Sequence, residues 1–464
     1  MVFKTEESLL ERAHSLKGKT VKDLLKGAAI DKGKGAIGNI IEREGFDIAN
    51  NNDASPDFKE LNIELKVFPL KTIAKGGHTS KERTKICSIN YKEIINEKWM
   101  VSHAKKKLQK ILFMFYYYDK DKPINSKILD YTLFQLEDSN EPLIKEDWER
   151  TKGLVEEGKA HLLSESQNII LAASRSGAGK VPENQWPEQP NKKFSERARQ
   201  RSFSLKPSFT KTLWLETNNK KSLVKIRDKF EYNSIASLEK LILEKLNKWS
   251  GKSLLEFATS NNIEPKESKN RNAEILRAAL GFKDKKRDIK EILQLGLTVK
   301  TIPARKKDYM PFEGMSFSYQ PLKEILDEIR FDESEFYSYL QGFLFIPLLR
   351  ETREEKNLSK IIIGKSFIWR PIKKQLLEIQ LEWEKYYEVI KSGIVLTKKK
   401  QNNKKGFILK NNLPNESETN FIHMRPHARD SDDIDQSLPE IGITKQCFWF
   451  NKLLIQSLIL KYAS

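Results

Sequence analysis

Cysteine is scarce. Of 464 residues only Cys87 and Cys447 are cysteines, far apart in the chain. That excludes a disulfide framework and a cysteine-built zinc module, and it points to a reduced, cytoplasmic compartment. Long apolar runs are also missing. The most apolar stretches, Ile111–Phe115 and Phe343–Leu349, have strand length, short of the roughly 18–20 residues that cross a bilayer, so no membrane partner is expected. The opening MVFKTEESLLERA has neither an apolar core nor a small-residue cleavage site, and no signal peptide is expected there. Acidic charge is in deficit: 64 Asp+Glu against 83 Lys+Arg leave a formal charge of +19. Aromatics are not scarce. With 24 Phe, 13 Tyr and 8 Trp, the chain is too rich in them for a disordered polycation.

A surplus of positive charge speaks to partners rather than to fold, and polyanions are the first candidates. Genome-wide loading of surfaces with lysine is the plain alternative, and the many Asn, Ile and Lys residues allow it. The densest run, Lys398–Lys405, is broken by Gln401–Asn403 and followed by a glycine. It reads as a hairpin or loop between strands, so polyanion binding should come from folded surfaces.

The chain repeats itself. SLLERAHSLKGKTVKDLL (Ser8–Leu25) returns as SLEKLILEKLNKWSGKSLLEF (Ser237–Phe257), and GAIGNIIEREGF as NAEILRAALGF. ELNIELKVFPLK returns as QLGLTVKTIPAR, KILFMFYYY as GFLFIPLLR, and QRSFSLKPSFTKTLW as KQCFWFNKLLIQSLI. The pairs are collinear and regularly spaced, which marks a duplicated domain rather than a solenoid unit. Domain one is expected at 1–215, a linker at 216–234 and domain two at 235–464. The repeat also removes a decoy. Gly18-Lys19-Thr20 and Gly251-Lys252-Ser253 resemble the end of a phosphate loop, but that loop needs an earlier glycine where Ala13 and Leu246 stand. Each tripeptide reads as a helix–helix turn with a Thr or Ser cap.

Chemistry concentrates in SPDFKELNIELKVFPL (Ser55–Leu70). Alternation places Ile63, Leu65 and Val67 on one face of a strand and Glu64 and Lys66 on the other. A bend at Phe58–Leu61 would bring Asp57 back beside Glu64. Two carboxylates and a lysine at one point suit phosphodiester hydrolysis. Hard oxygens hold Mg²⁺, the ion activates a bound water, and the lysine orients that water or adds positive charge. Acid-x-base triplets are frequent by chance, so a charged, solvated strand face remains the alternative.

Taken in order, KGAIGNIIE, SPDFKELNIELKVFP, SHAKKKLQKILF and RSFSLKPSFTKTLW resemble MutH, the mismatch-repair nicking endonuclease. The doubled layout, with HMRPH at His423–His427 and TKQCFW at Thr444–Trp449, resembles the GATC-cleaving type II restriction endonucleases built of two MutH-like domains. The resemblance implies Asp57 and Glu64 as metal ligands, Lys66 as catalytic lysine and Glu42 as the supporting helix acid. It implies DNA contacts from Lys34, Arg201, Ser204 and Lys206 in the first copy, and from Arg425, His427, Lys445, Gln446 and Trp449 in the second. Ser204 stands where MutH has a tyrosine near the target adenine. MutH's Arg-Pro-Lys segment has no clear counterpart in domain one, where Leu171–Arg175 is nearest. Trp449 is equally readable as a core aromatic. A zinc pair from His423 and His427 is disfavoured by the intervening Pro426.

In the second copy Glu64 aligns with Thr298, Lys66 with Lys300 and Glu42 with Ala278, while Asp57 falls near Glu291. That copy should bind DNA without cutting it. The expected fold is α/β (α+β), two restriction-endonuclease-like domains each with a mixed central sheet flanked by helices. The expected activity is Mg²⁺-dependent cleavage of double-stranded DNA at GATC by domain one, with domain two holding an effector site. The free protein is expected to be a monomer, with dimerisation on DNA open. The alternatives are a MutH-like repair nickase and a non-catalytic DNA-binding protein.

Overall fold

A computed structural model describes every residue except 1–2, 26–34, 49–54, 73–77, 81, 120, 138–139, 177–180, 219–222, 264–270, 284–286, 329, 401–406 and 464. The chain forms two compact units, residues 1–238 with 286–296 and residues 239–285 with 297–464. Both are mixed α/β.

The first unit opens with α1 (Glu6–Leu16), α2 (Val21–Leu25) and α3 (Ala36–Ile40), which continues into a π-helical turn at Ile41–Gly45. There follow β1 (Glu64–Thr72), β2 (His78–Ser80), β3 (Thr84–Ser88), α4 (Tyr91–Ile94), α5 (His103–Leu108), β4 (Lys110–Tyr117) and β5 (Lys127–Gln135). Then come α6 (Glu141–Glu156), β6 (Leu171–Arg175), β7 (Arg201–Leu205) and α7 (Pro207–Asn218). The main sheet has the order β2-β1-β4-β5, with β1 and β4 parallel and the outer pairs antiparallel. A second, antiparallel sheet has the order β3-β7-β6. β4 is apolar without alternation because both its faces are covered. Leu112 and Met114 pack with Leu9, Leu16, Ile40 and Leu65. On the other face Phe113 and Phe115 stack with centroids 6.1 Å apart, and they meet Phe134 and Trp214.

The second half contains α8 (Ile235–Asn247), α9 (Leu254–Ser260), α10 (Arg271–Ala279), α11 (Lys290–Gln294), β8 (Thr298–Arg305), β9 (Met315–Ser316), α12 (Leu322–Asp327), α13 (Glu335–Tyr339) and β10 (Phe343–Arg350). It continues with β11 (Ile362–Ile363), β12 (Phe367–Trp369), α14 (Lys373–Ser392), β13 (Leu396–Lys400), β14 (Phe407–Asn411), β15 (Ile422–Pro426), β16 (Gln446–Phe450) and α15 (Lys452–Ala463). α11 belongs to the first unit, as do residues 216–234.

The duplication holds at the level of register. Glu64 pairs with Ile111 and Lys66 with Phe113; Thr298 pairs with Phe343 and Lys300 with Phe345. Phe343 and Phe345 stack as their counterparts do, at 5.6 Å. β5 is represented by two pieces, since Ile111 faces Phe134 and Phe343 faces Trp369. The antiparallel sheet β3-β7-β6 returns as β9-β16-β15. The two Gly-Lys turns are helix–helix turns with left-handed glycines at φ 85° and 81°. Each is pinned by backbone bonds to the main-sheet edge, Gly18 N–H to Ile128 O and Gly251 N–H to Ile363 O. Thr20 and Ser253 cap the following helices, each with an acid three residues on that bonds back to the cap, Asp23 and Glu256. Lys398–Lys400 of the lysine run lie in β13, paired antiparallel with β14, and the rest of the run lies outside the described residues.

A buried carboxylate on the long helix of each copy ties down the strand that follows. Asp147 of α6, with no exposed surface, accepts from the N–H groups of Ile169, Ile170 and Leu171. Glu382 of α14 accepts from those of Asn420, Phe421 and Ile422. Leu171 begins β6 and Ile422 begins β15, so one device sets the entry of the same strand twice.

Candidate active site and nucleic-acid interface

The chain reverses just before β1. Phe58 and Ile63 exchange backbone hydrogen bonds across a 3₁₀ turn at Lys59–Leu61, and Asn62 takes a left-handed conformation at φ 53°. Asparagine tolerates that conformation better than most residues. The reversal carries Asp57 back to β1, where its Oδ2 accepts from Leu65 N–H at 2.8 Å. The side chain of Glu64, in the same strand start, is not on a solvated face: the residue is 4% exposed. Lys66 Nζ donates to Glu64 Oε1 at 2.5 Å.

Glu64 has a second cation that the sequence did not single out. Lys107 of α5 donates to Glu64 Oε2 at 2.8 Å and to Ser55 O at 2.7 Å, and is itself buried. Ser102 caps α5 by accepting from Lys105 N–H. Of the four lysines in SHAKKKLQKILF, Lys105 pairs with Glu141 and Lys110 with Glu6. The only hint in the sequence was the placement of this basic helix directly before β4, the parallel neighbour of β1.

Glu42 lies in the π-helical turn. Burial raises its pKa to about 7; Lys66 opposes the rise, while the charges of Asp57 and Glu64 add to it. The pKa of Asp57 is raised too, by burial first and by Glu64 next, against Leu65 N–H, Lys66 and Lys107. Glu42 and Asp57 therefore share one partly desolvated place with Glu64, whose charge resists the ionisation of both. Such a donor set suits a hard divalent cation, whose charge relieves the repulsion. Among the described residues no three His, Cys, Asp or Glu groups stand close enough to complete a metal cage. Mg²⁺ often needs only one or two carboxylates, with water and substrate phosphate supplying the rest. Asp57 and Glu64 fit that requirement.

The second copy does not repeat this chemistry. Thr298 replaces Glu64 in register, and Lys300 keeps the place of Lys66. Glu291 is committed to the first unit, where it accepts from Ile226 N–H, Arg227 N–H and Tyr232 OH.

The other residues expected to meet DNA divide by burial. Lys34 lies outside the described residues. Ser204 is buried and bonds to Ser174 Oγ at 2.6 Å, Lys206 is buried, and Arg201 Nη1 reaches Ala173 O at 3.5 Å. In the second copy Arg425 lies 3.6 Å over the ring of Trp449, which is 8% exposed, and the His427 ring is 6.0 Å from the same tryptophan. Gln446 is buried and donates to Thr444 O, and Lys445 is paired with Asp433. Strand register makes Ser204 and Ser174 the counterparts of Trp449 and Arg425. One copy thus carries two serines where the other carries a stacked guanidinium. His423 Nδ1 is engaged with Asn451 Oδ1 at 2.6 Å.

Comparison with known proteins agrees with this layout. The family model described as "DNA mismatch repair enzyme MutH" matches twice, at residues 46–147 and 280–382. The matches end at Asp147 and Glu382, the two buried helix carboxylates. The chain is 28% identical over 487 aligned positions to "Type II restriction enzyme Sau3AI" of Staphylococcus aureus, covering 97% of each. It is 27% identical over 172 residues to "DNA mismatch repair protein MutH" of Shewanella amazonensis, covering 36% of this chain and 75% of that protein. The MutH of Shewanella woodyi gives 28% over 182 residues, covering 38% and 77%.

Proposed function

Taking as premise that the chain belongs to the restriction endonucleases built of two MutH-like domains, which are site-specific deoxyribonucleases, we propose that it cuts double-stranded DNA at GATC. In this reading the first unit hydrolyses the phosphodiester and the second binds an effector GATC duplex without cutting it. The observation that carries the reading is the group formed by Asp57, Glu64 and Lys66, joined through Leu65 N–H and, among the described residues, without a counterpart in the second unit, where Thr298 stands at the position of Glu64. Asp57 and Glu64 would hold Mg²⁺. Bound there, the ion would lower the pKa of a coordinated water and offset charge gathering on the phosphate.

The protein's own residues do the rest. Lys66 places an ammonium at the reacting centre, where it orients the attacking water and balances the growing negative charge. Lys107 fixes the Glu64 carboxylate and, through Ser55 O, ties the segment before Asp57 to it. Glu42, with its pKa near 7, can hold a proton beside the two acids when their charge is unrelieved. In the second unit Arg425 presents a guanidinium braced on Trp449 for a guanine edge or a phosphate. For DNA on the second unit to act as effector, it must favour an active state of the first, so the two sites share a coupling free energy.

The test is digestion of GATC plasmids, methylated and unmethylated, across a Mg²⁺ titration with the ends mapped. Double-strand breaks at GATC without added proteins are expected. Nicks that require mismatch-repair partners would instead support the repair nickase. Glu64→Ala should abolish cleavage and leave DNA binding measurable; cleavage at the wild-type rate would remove the assignment.

A further inference from the structure

Lys300 is a cation kept where its acid has gone. It stands in register with Phe345 as Lys66 does with Phe113, but Thr298 occupies the position of Glu64. Its ammonium reaches one backbone carbonyl, Ser316 O, at 3.4 Å. Among the described residues no carboxylate pairs with it. Burial lowers its pKa, with Cys447 acting the other way. A partly desolvated ammonium without a counter-ion costs free energy that an apolar side chain of the same length would not. Arrival of an anion removes that cost.

A second cation faces the same place. Ser316, which Lys300 touches, pairs across β9–β16 with Trp449, the ring beneath Arg425. Cys447 is the register partner of Arg425, and its thiol feels both Arg425 and Lys300. Arg425 has no carboxylate partner among the described residues either. Beside these cations, Trp449 Nε1 is a buried donor turned toward the Cys447 thiol.

We propose that Lys300 and Arg425 together hold one backbone phosphate of the duplex on the second unit, so that the lost nuclease centre persists as a phosphate clamp. The ligand class is a DNA phosphodiester, whose single charge needs no metal beside two cations. The proposal rests on the reading of the second unit as a DNA effector site.

The experiment titrates the full-length protein with a short GATC duplex in chelator, so that the DNA stays intact, and resolves two binding events. Lys300→Met should weaken one event by about tenfold or more, the scale of a lost charged hydrogen bond, while Lys300→Arg retains most of the affinity. Duplexes with one phosphate at a time replaced by neutral methylphosphonate should reveal a position that weakens the wild type and has no effect on Lys300→Met. Thermal melting of Lys300→Met should match or exceed that of the wild type, which separates lost binding from lost fold. Two unchanged binding events, or an unchanged methylphosphonate profile, would overturn the clamp and leave the effector reading standing. Uptake of a single duplex by the wild type would overturn both. Displacement by inorganic phosphate as readily as by duplex would mark a general anion site and overturn the assignment to DNA.

Discussion

Glu64 carries an ammonium on each of its oxygens, and the second of them is the more consequential for stability. Lys107 and Glu64 are both buried, so removing one leaves the other charged in a poorly solvated place. Breaking such a pair costs about 3–5 kcal/mol. Lys107→Met should therefore shift the denaturant midpoint of the first unit strongly, and it should also lower plasmid cleavage by loosening Glu64. Lys66 is more exposed than Lys107, so Lys66→Met should abolish cleavage with a much smaller loss of stability. Equal stability losses in the two variants would show that burial does not set the cost of losing either lysine. Asp57, Glu64 and Lys66 were legible because the Pro-Asp turn and the strand alternation needed only local reasoning. Lys107 was not, because three adjacent lysines look alike until the helix is rotated against β1 by its packing.

At the scale of elements, the two long helices act through single buried carboxylates. Asp147 accepts from three successive backbone N–H groups, and Asp147→Ala would leave them unpaired, those of Ile170 and Leu171 in the interior. A loss of about 3 kcal/mol is expected from the unsatisfied groups, measured by urea unfolding. Glu382→Ala should act likewise on the second unit. A different element sets that unit's response to acid. Burial lowers the pKa of His423 below its ordinary 6.5; its bond to Asn451 opposes the shift but does not reverse it. The unfolded chain then binds a proton near pH 6.5 that the folded chain refuses. Stability supplied by neutral His423 is present above pH 6.5 and is lost as pH falls toward the folded pKa. His423→Gln should flatten that part of the pH–stability curve of the second unit, read by thermal melting between pH 5 and 8. The central strands β4 and β10 were visible as the apolar runs Ile111–Phe115 and Phe343–Leu349. The division of β5's counterpart into two pieces and the two-residue strand β9 were not, since their pairing comes from distant partners rather than from local pattern.

At the scale of the molecule, the duplication was legible because each motif returns in the same order, and the paired registers of Glu64 and Thr298 carry it into three dimensions. What a linear reading could not place is the short segment that leaves the second half of the sequence for the first unit. Residues 286–296 lie between α10 and β8 in the chain, yet Glu291 closes the turn at Ile226–Tyr232. Lys290 pairs with Glu216, and buried Gln294 donates to Asn140 Oδ1. Ile289, Ile292 and Leu295 are buried as well, and each is worth about 1.5–3 kcal/mol of apolar burial when fully covered. Together these exceed much of the margin by which a domain is stable. A chain ending at residue 238 should therefore be destabilised and cut poorly for a reason unrelated to any effector. Joining residues 286–296 to it through a flexible linker should restore cooperative unfolding and a working metal site. Stimulation by a second GATC duplex would then be absent from the rescued chain and present in the full-length protein. Equal stability of the chains with and without the segment, measured by thermal unfolding, would show that the crossing does not matter for folding. Equal stimulation of the rescued and full-length proteins would place the effector site in the first unit.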